Sequence, residues 1–365
     1  MLHLLERGHA NQDSSGQEPQ TSFSSPFIED KYTIMISTYA RDEALKLTLQ
    51  EIATGDLENL HSVIIVWHNP ERDPPQDIVD SLPHFAVPVI LRRSVTDSLN
   101  NRFLLGDDIK TRAVMSRDDD LCFGPGDVEF QFRQWQIYGR DKRMVGTAPR
   151  EVIPNIKGDS RFMYRMKDLA KYEIILTNAC FLDVSFMELY WAENAAAAAV
   201  RAYVDDHMNC EDIAMNFFAA NATGLPPLLV EGREPRRYYR SSGISSSPSH
   251  FQTRGKCYDD FQDLFGGLQL PFSTEVIKRS GSEIRDFWDS IPPPPSENRP
   301  DTPSANELKH MNLIAADIYQ TGLTQRLKDD LARKQVKEAE KAAEVLRKLR
   351  AEIADLKAEL RRVGA

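Results

Sequence analysis

Asp118-Asp119-Asp120 follows closely on the apolar stretch Ala113-Val114-Met115. Three carboxylates at the end of a buried strand repel one another and resist desolvation, so a cation is needed to offset them. A divalent metal carrying a nucleotide diphosphate suits this role, because hard cations take carboxylate and phosphate oxygens together. Alone, the run reads better as a solvated loop, and its neighbours decide. The strand-like run 33–38 ends in Ser37-Thr38-Tyr39-Ala40-Arg41. In open α/β sheets ligands bind beyond the carboxyl ends of the strands, where an Arg offers paired phosphate oxygens a planar donor fork. The run 62–67 is followed by His68-Asn69-Pro70, with Asn69 suited either to a base edge or to capping the turn. Asp97-Ser98-Leu99-Asn100-Asn101-Arg102-Phe103 follows the run 87–91. Four polar clusters after four consecutive strand candidates read as the rim of one nucleotide site.

A second constellation is Val204-Asp205-Asp206-His207-Met208-Asn209-Cys210-Glu211-Asp212-Ile213-Ala214-Met215-Asn216-Phe217. Carboxylates before an apolar helix serve as caps and dipole partners, worth up to about 1 kcal/mol each. That accounts for one of Glu211 and Asp212, and the other is left to face a donor sugar. His207 reads as a structural or acceptor-contacting residue rather than a metal ligand.

The elements that must position these groups are legible as alternation. Strand candidates lie at 33–38, 62–67, 87–91, 113–115, 144–147 and 174–181, and helical spacing at 41–52, 128–138, 192–204 and 210–220. Strands separated by helix-length segments imply a layered α/β sheet, parallel in its first half. Residues 232–260, rich in Ser, Arg and Gly, read as a long loop ordering over a ligand. The chain of 365 residues carries a formal net charge of −10, which argues against a general nucleic-acid binder. No stretch approaches the roughly 18 apolar residues of a membrane span. Cys122 and Cys180 sit among apolar residues as small core hydrophobes, while Cys210 and Cys257 lie in polar contexts compatible with a disulfide, which needs an oxidising compartment. Asn221-Ala222-Thr223 is a glycosylation sequon pointing the same way. Residues 1–30 read as a disordered leader and 286–305 as a Pro-rich linker; 306–365 form a helical tail whose segment 338–363 has a heptad seam suited to homo-oligomerisation.

The motifs at 37–41, 66–69, 98–103, 118–120, 204–217 and 220–224 together resemble the C-terminal glycosyltransferase domain of the exostosins and exostosin-like proteins, glycosyltransferase family 64. The resemblance spans about 31–280, and Asn-Cys-Glu-Asp-Ile-Ala-Met-Asn-Phe is its most specific block. It implies an α/β fold of GT-A type at 31–285, with a Rossmann-like nucleotide half, an acceptor half and a mixed central sheet. It implies a retaining transferase using a UDP-N-acetylhexosamine donor, GlcNAc foremost and GalNAc open, with Mn²⁺ as cofactor and a glycan or glycolipid acceptor. By motif, Arg41, Asn69, Asn101 and Arg102 contact UDP, Asp118 and Asp119 contact ribose or sugar, and Asp120 binds the metal. Asp212 lies by the anomeric carbon and Arg254 stabilises departing UDP. Cys210 and Cys257 correspond to the family's disulfide, tying the helix of Asp212 to the loop of Arg254. Front-face attack and double displacement both remain open for retention. Asp97 stands where the family usually has Asn, adding a negative charge near the nucleotide. The family's membrane anchor and N-terminal exostosin domain have no counterpart in these residues, so the expected Golgi or ER-lumen location rests on an anchor outside them or on a partner. The alternative function is a degenerate UDP-sugar-binding fold that assembles with partners through its tail.

Overall fold

The computed structural model describes residues 27–155, 160–166, 169–232, 237–238 and 250–280, and the fold is given for these. The expected leader up to residue 26, the linker, the appended helical tail and its heptad segment lie outside the described residues.

The first half is built on β1 (Ile28–Thr38), β2 (Leu60–Trp67), β3 (Val89–Arg93) and β4 (Thr111–Asp118), paired in parallel in the order β3-β2-β1-β4. The last seven residues of β1 are all buried. A parallel strand covered on both faces reads as a continuous apolar run rather than an alternation. The buried hydroxyl of Thr33 is satisfied by Ser62 and Thr111 on the flanking strands, at 3.1 and 2.8 Å. Between β1 and β2 runs α1 (Asp42–Thr54), which buries Leu45, Leu49 and Ile52 against the sheet. The short α2 (Gln76–Ser81) leads to β3, and a 3₁₀ turn, Leu99–Phe103, leads to β4.

The chain continues through β5 (Leu121–Cys122), α3 (Pro125–Gln134), β6 (Val145–Gly146), β7 (Pro149–Pro154), β8 (Phe162–Arg165), β9 (Ile174–Ile175) and β10 (Ala179–Asp183). Then come α4 (Val184–Tyr190), α5 (Ala195–His207), α6 (Glu211–Thr223), β11 (Leu228–Glu231), β12 (Arg237–Tyr238), α7 (His250–Leu264) and β13 (Val276–Lys278). Among the described residues the main sheet has eight strands, ordered β13-β11-β6-β10-β4-β1-β2-β3. β10 is antiparallel to both neighbours and every other pairing is parallel. This is the mixed α/β architecture implied by the resemblance. Met35 and Val114 face a core covered by α4, α5, α6 and α7, while Ile34, Ile36 and Met115 face one covered by α1 and α3.

Two expectations need correction. Residues 174–181 are two strands rather than one, because the chain changes sheets there: β9 pairs with β7 and β10 with β4 and β6. Residues 250–260 of the expected long loop belong to the helix α7. Its buried Cys257, Tyr258 and Phe261 pack on Phe217 of α6 in one core. That apolar stripe was diluted by the Ser-rich residues before it. Arg254 is therefore a helix residue, not a loop residue.

Candidate active site

The acidic triplet sits at the carboxyl end of β4, and its backbone is tied to neighbouring segments. The Asp118 amide donates to Asn178 O at 3.0 Å, and Thr48 of α1 donates to Asp119 O at 2.7 Å. Below the turn, the fully buried Arg117 pairs with Glu51 of α1 and donates to Leu121 O at 2.7 Å. Helix α1 thus holds the triplet from beneath while Arg41, just before its first turn, meets it from the side.

Asp119 has no exposed side-chain surface; it accepts from Thr38 at 2.6 Å and pairs with Arg41, which also pairs with Asp120. Burial nonetheless outweighs Arg41, and with the neighbouring carboxylates pushes Asp119 up to about 7. Asp120 is pushed up to about 6 by burial and by Asp118, against the pull of Arg41. The turn holds more negative charge than its own cation offsets. Asp118 accepts from Arg102 at 2.6 Å, and Arg102 also donates to Thr177 at 2.9 Å and lies 3.4 Å from Glu211.

The opposite wall comes from far along the chain. Met208 and Cys210, both with left-handed backbone (φ 44° and 77°), make the sharp turn from α5 into α6. Cys210 is disulfide-bonded to Cys257 of α7. One helical turn before Cys257, Arg254 donates from Nη2 to both oxygens of Asp212, each at 2.5 Å, and from Nη1 to Asn209 at 3.1 Å. Its guanidinium lies 4.6 Å from the centre of the Tyr164 ring. Burial opposes ionisation of Asp212, but Arg254 outweighs it and holds the carboxyl below its ordinary value. Asp212 also accepts from the Ile213 amide at 2.7 Å, one of the open donors of the helix's first turn. Glu211 turns to Arg102; burial pushes it up to about 7.

Arg41, Arg102, Asp118, Asp119, Asp120, Asp212 and Arg254 thus fall into linked ion pairs at one end of the sheet, with Glu211 as the member left unassigned by the sequence. Its signal was present, two carboxylates opening one helix. Asn69 and Asn101 bond to their own loops: Asn69 accepts from the Glu71 and Arg72 amides at 3.0 and 3.1 Å, and Asn101 donates to Thr96 O at 2.9 Å. Asp97 is exposed and joins none of these pairs. His207 is exposed, stacks on Tyr203 and sits 2.9 Å from Tyr203 O, a structural role. Cys122 and Cys180 are buried free thiols.

A family model, the glycosyl transferase family 64 domain, matches residues 32–280. The chain belongs to glycosyltransferase family 64. It is 33% identical over 266 residues to the exostosin-like-3 homolog of Caenorhabditis elegans, covering 71% of this chain and 30% of that protein. It is 32% identical over 275 residues to glycosylinositol phosphorylceramide mannosyl transferase 1 of Arabidopsis thaliana, covering 70% of this chain and 78% of that protein. With glucosamine inositolphosphorylceramide transferase 1, also of Arabidopsis thaliana, it shares 34% identity over 253 residues, 65% of this chain and 30% of that protein. The chain thus spans less than a third of two of these relatives and about three quarters of the other. Among solved structures, S. aureus TarS in complex with UDP-GlcNAc aligns at a TM-score of 0.34 with 12% identity, covering 64% of this chain and 72% of that one; so distant a likeness carries no argument.

The donor atoms of the family 64 domain fit a hard divalent cation. Asp118 and Asp120 are part-exposed carboxylates, with side chains 27% and 24% accessible. Among the described residues no group of three His, Cys, Asp or Glu side chains forms a full cage. A site of one or two carboxylates suits an ion that arrives with phosphate oxygens as its remaining ligands.

Proposed function

We propose that this glycosyltransferase is a retaining, Mn²⁺-dependent enzyme that moves an N-acetylhexosamine, GlcNAc foremost, from a UDP-sugar to a glycan or glycolipid acceptor. The observation that carries this reading is the pairing of two unlike walls. An acidic turn short of positive charge faces, through Arg102, a buried Asp212–Arg254 pair. Arg41 and Arg102 bind and orient the UDP diphosphate, with Asn69 and Asn101 at its nucleoside end. Asp118 meets ribose or sugar, and Asp119, enclosed as it is, acts through Arg41. Asp120 holds the cation, which when bound neutralises charge on the diphosphate. Arg254, kept fully ionised by Asp212, stabilises the departing UDP, the main electrostatic task of such a transfer.

For retention, the geometry favours front-face attack. Both oxygens of Asp212 already accept from Arg254 and its carboxyl is held below the ordinary range, so it is a poor nucleophile. The acceptor oxygen bonds to the anomeric carbon as the bond from that carbon to the phosphate oxygen breaks. The acceptor proton passes to the leaving phosphate oxygen. Two Arabidopsis thaliana relatives are named for transfer to inositolphosphorylceramides, one of mannose and one of glucosamine, which supports a glycolipid acceptor. The Cys210–Cys257 disulfide supports an oxidising lumen, as in the Golgi or ER.

The deciding experiment is hydrolysis of a panel of UDP-sugars with and without Mn²⁺, followed by anomeric analysis of any transfer product. Mn²⁺-dependent release of UDP from UDP-GlcNAc, lost in Asp120→Ala and Asp212→Ala, is the expected result. Tight UDP binding with no turnover of any sugar would leave a binding module instead. Activity retained in either variant would overturn the residue roles.

A further inference from the structure

His68 stands directly after β2, and the roles above leave it unused. Its amide donates to Thr38 O at 2.8 Å, so its ring lies by the carboxyl ends of β1 and β2. The residue is only 4% exposed. Nδ1 lies 2.9 Å from Ser98 O. A carbonyl can only accept, so Nδ1 carries the proton and Nε2 of the neutral ring is a bare acceptor. Ser98 is itself fixed, donating from its hydroxyl to Asp205 of α5 and accepting from the Asn100 amide at 3.1 Å. The ring is therefore held in one orientation. Burial and the nearby Arg102 charge push its pKa down to about 4, keeping the lone pair open near neutrality.

Nε2 is buried and has no hydrogen-bond partner among the described residues. Nor has Nε of Arg102, although the other two nitrogens of that guanidinium are engaged. A buried acceptor and a buried donor left open are each costly, and Arg102 is near enough for its charge to lower the His68 pKa; a group that both gives and takes a hydrogen bond would satisfy the two.

We propose that His68 Nε2, together with Arg102 Nε, receives a donor–acceptor group of the nucleoside of the UDP-sugar: a ribose hydroxyl, or the N–H and carbonyl edge of uracil. This rests on the UDP reading above and makes His68 a specificity-determining residue for the nucleoside. Its neutral tautomer accepts a hydrogen bond that a ligand without the matching donor cannot supply.

The test is calorimetric binding of UDP, 2′-deoxy-UDP and CDP to the full chain in Mn²⁺, with the unmodified chain and His68→Asn. Asn keeps a donor near the position of Nδ1 for Ser98 O but presents no acceptor at Nε2. The expected result is an unchanged melting temperature and a roughly tenfold loss of UDP affinity, the value of one good hydrogen bond. The analogue that the unmodified chain binds more weakly should bind His68→Asn as UDP does. If that analogue is 2′-deoxy-UDP the group is the ribose hydroxyl; if CDP, the uracil edge. Unchanged UDP affinity in His68→Asn, or discrimination that survives the substitution, overturns the proposal and leaves Nε2 to a water. If the variant fails to fold, the unmodified chain decides, since equal affinity for all three ligands also overturns it. In each of these cases UDP binding and turnover by the unmodified chain keep the transferase reading intact, whereas absence of UDP binding would remove that reading first.

Discussion

At the end of β4, burial holds Asp119 at about 7 and Asp120 at about 6, with the part-exposed Arg41 as their shared cation. At the start of α6, burial is as complete, yet Asp212 is held below its ordinary value because Arg254 belongs to it alone among the pairs of that wall. The contrast separates two uses of charge. The acidic turn is tied down through its backbone and through Arg117 and Glu51 beneath it, so its carboxylates are positioned without being neutralised. The Asp212–Arg254 pair is neutralised internally and doubles as a clamp between two helices already joined by a disulfide. One wall is finished by the ligand; the other is finished by the fold. Substitutions in the second should therefore lower stability, and substitutions in the first should spare the fold and remove activity.

The largest loss of stability is expected from Arg254→Ala. It leaves Asp212 buried without a partner, a change that costs about 3–5 kcal/mol in urea denaturation. The apolar pair Asp212→Leu with Arg254→Met should recover much of that stability and none of the transfer. A cost below about 1 kcal/mol for Arg254→Ala would mean that the pair is not part of the fold and would erase the contrast. Cys257→Ser comes next. The cysteines are 47 residues apart, and losing the cross-link should cost about 2–4 kcal/mol, seen as a lower urea midpoint that reductant no longer shifts.

How much of this could be read beforehand follows the same division. β1 and β2 are visible as apolar runs because strands buried on both faces have no polar side. The acidic triplet is visible because it is the last of four polar clusters that follow consecutive strand candidates. Arg254 was visible only through family resemblance, since 42 residues separate it from Asp212 and only the packing of α7 on α6 joins them. Helix α7 itself was hidden by composition, its stripe of Cys257, Tyr258 and Phe261 spread among polar residues. Glu211 was left without a role because a carboxylate at a helix start is ordinarily a cap, and its pairing with Arg102 depends on a residue more than a hundred positions earlier. His68 looked like one more polar group after a strand; its tautomer depends on Ser98 O, 30 residues away.

His68 also sharpens the contrast through pH. Its pKa is lowered from 6.5 to about 4, first by burial and then by Arg102, with the Ser98 carbonyl and Asp118 pulling the other way. Between those values the unfolded chain binds a proton that the folded chain refuses. Its contribution is therefore whole above about pH 6.5 and drains away as pH falls through 4, by up to about 3 kcal/mol. His68→Asn should lose that part of the acid dependence, measured as the difference between the two urea midpoints from pH 7 to 4. Parallel curves would show that the ring titrates freely in the folded state.

The smallest effect on stability is expected from the substitution with the largest effect on chemistry. Asp120→Asn removes one of two carboxylates that burial holds above their ordinary range, and it leaves Arg41 paired with Asp119. Repulsion within the triplet falls as one charge pairing is lost, so the free energy of unfolding should stay within about 1 kcal/mol of the unmodified chain. Mn²⁺-dependent UDP-sugar hydrolysis should fall by at least about 100-fold, because charge on the departing diphosphate is then met by arginines alone. Thermal melts with ligand separate the two consequences. UDP with Mn²⁺ at 100 times its dissociation constant should stabilise the unmodified chain by about 2.7 kcal/mol and Asp120→Asn by much less. If Asp120→Asn instead melts as low as Arg254→Ala without ligand, the acidic turn is held together by its charges after all, and the two walls are of one kind.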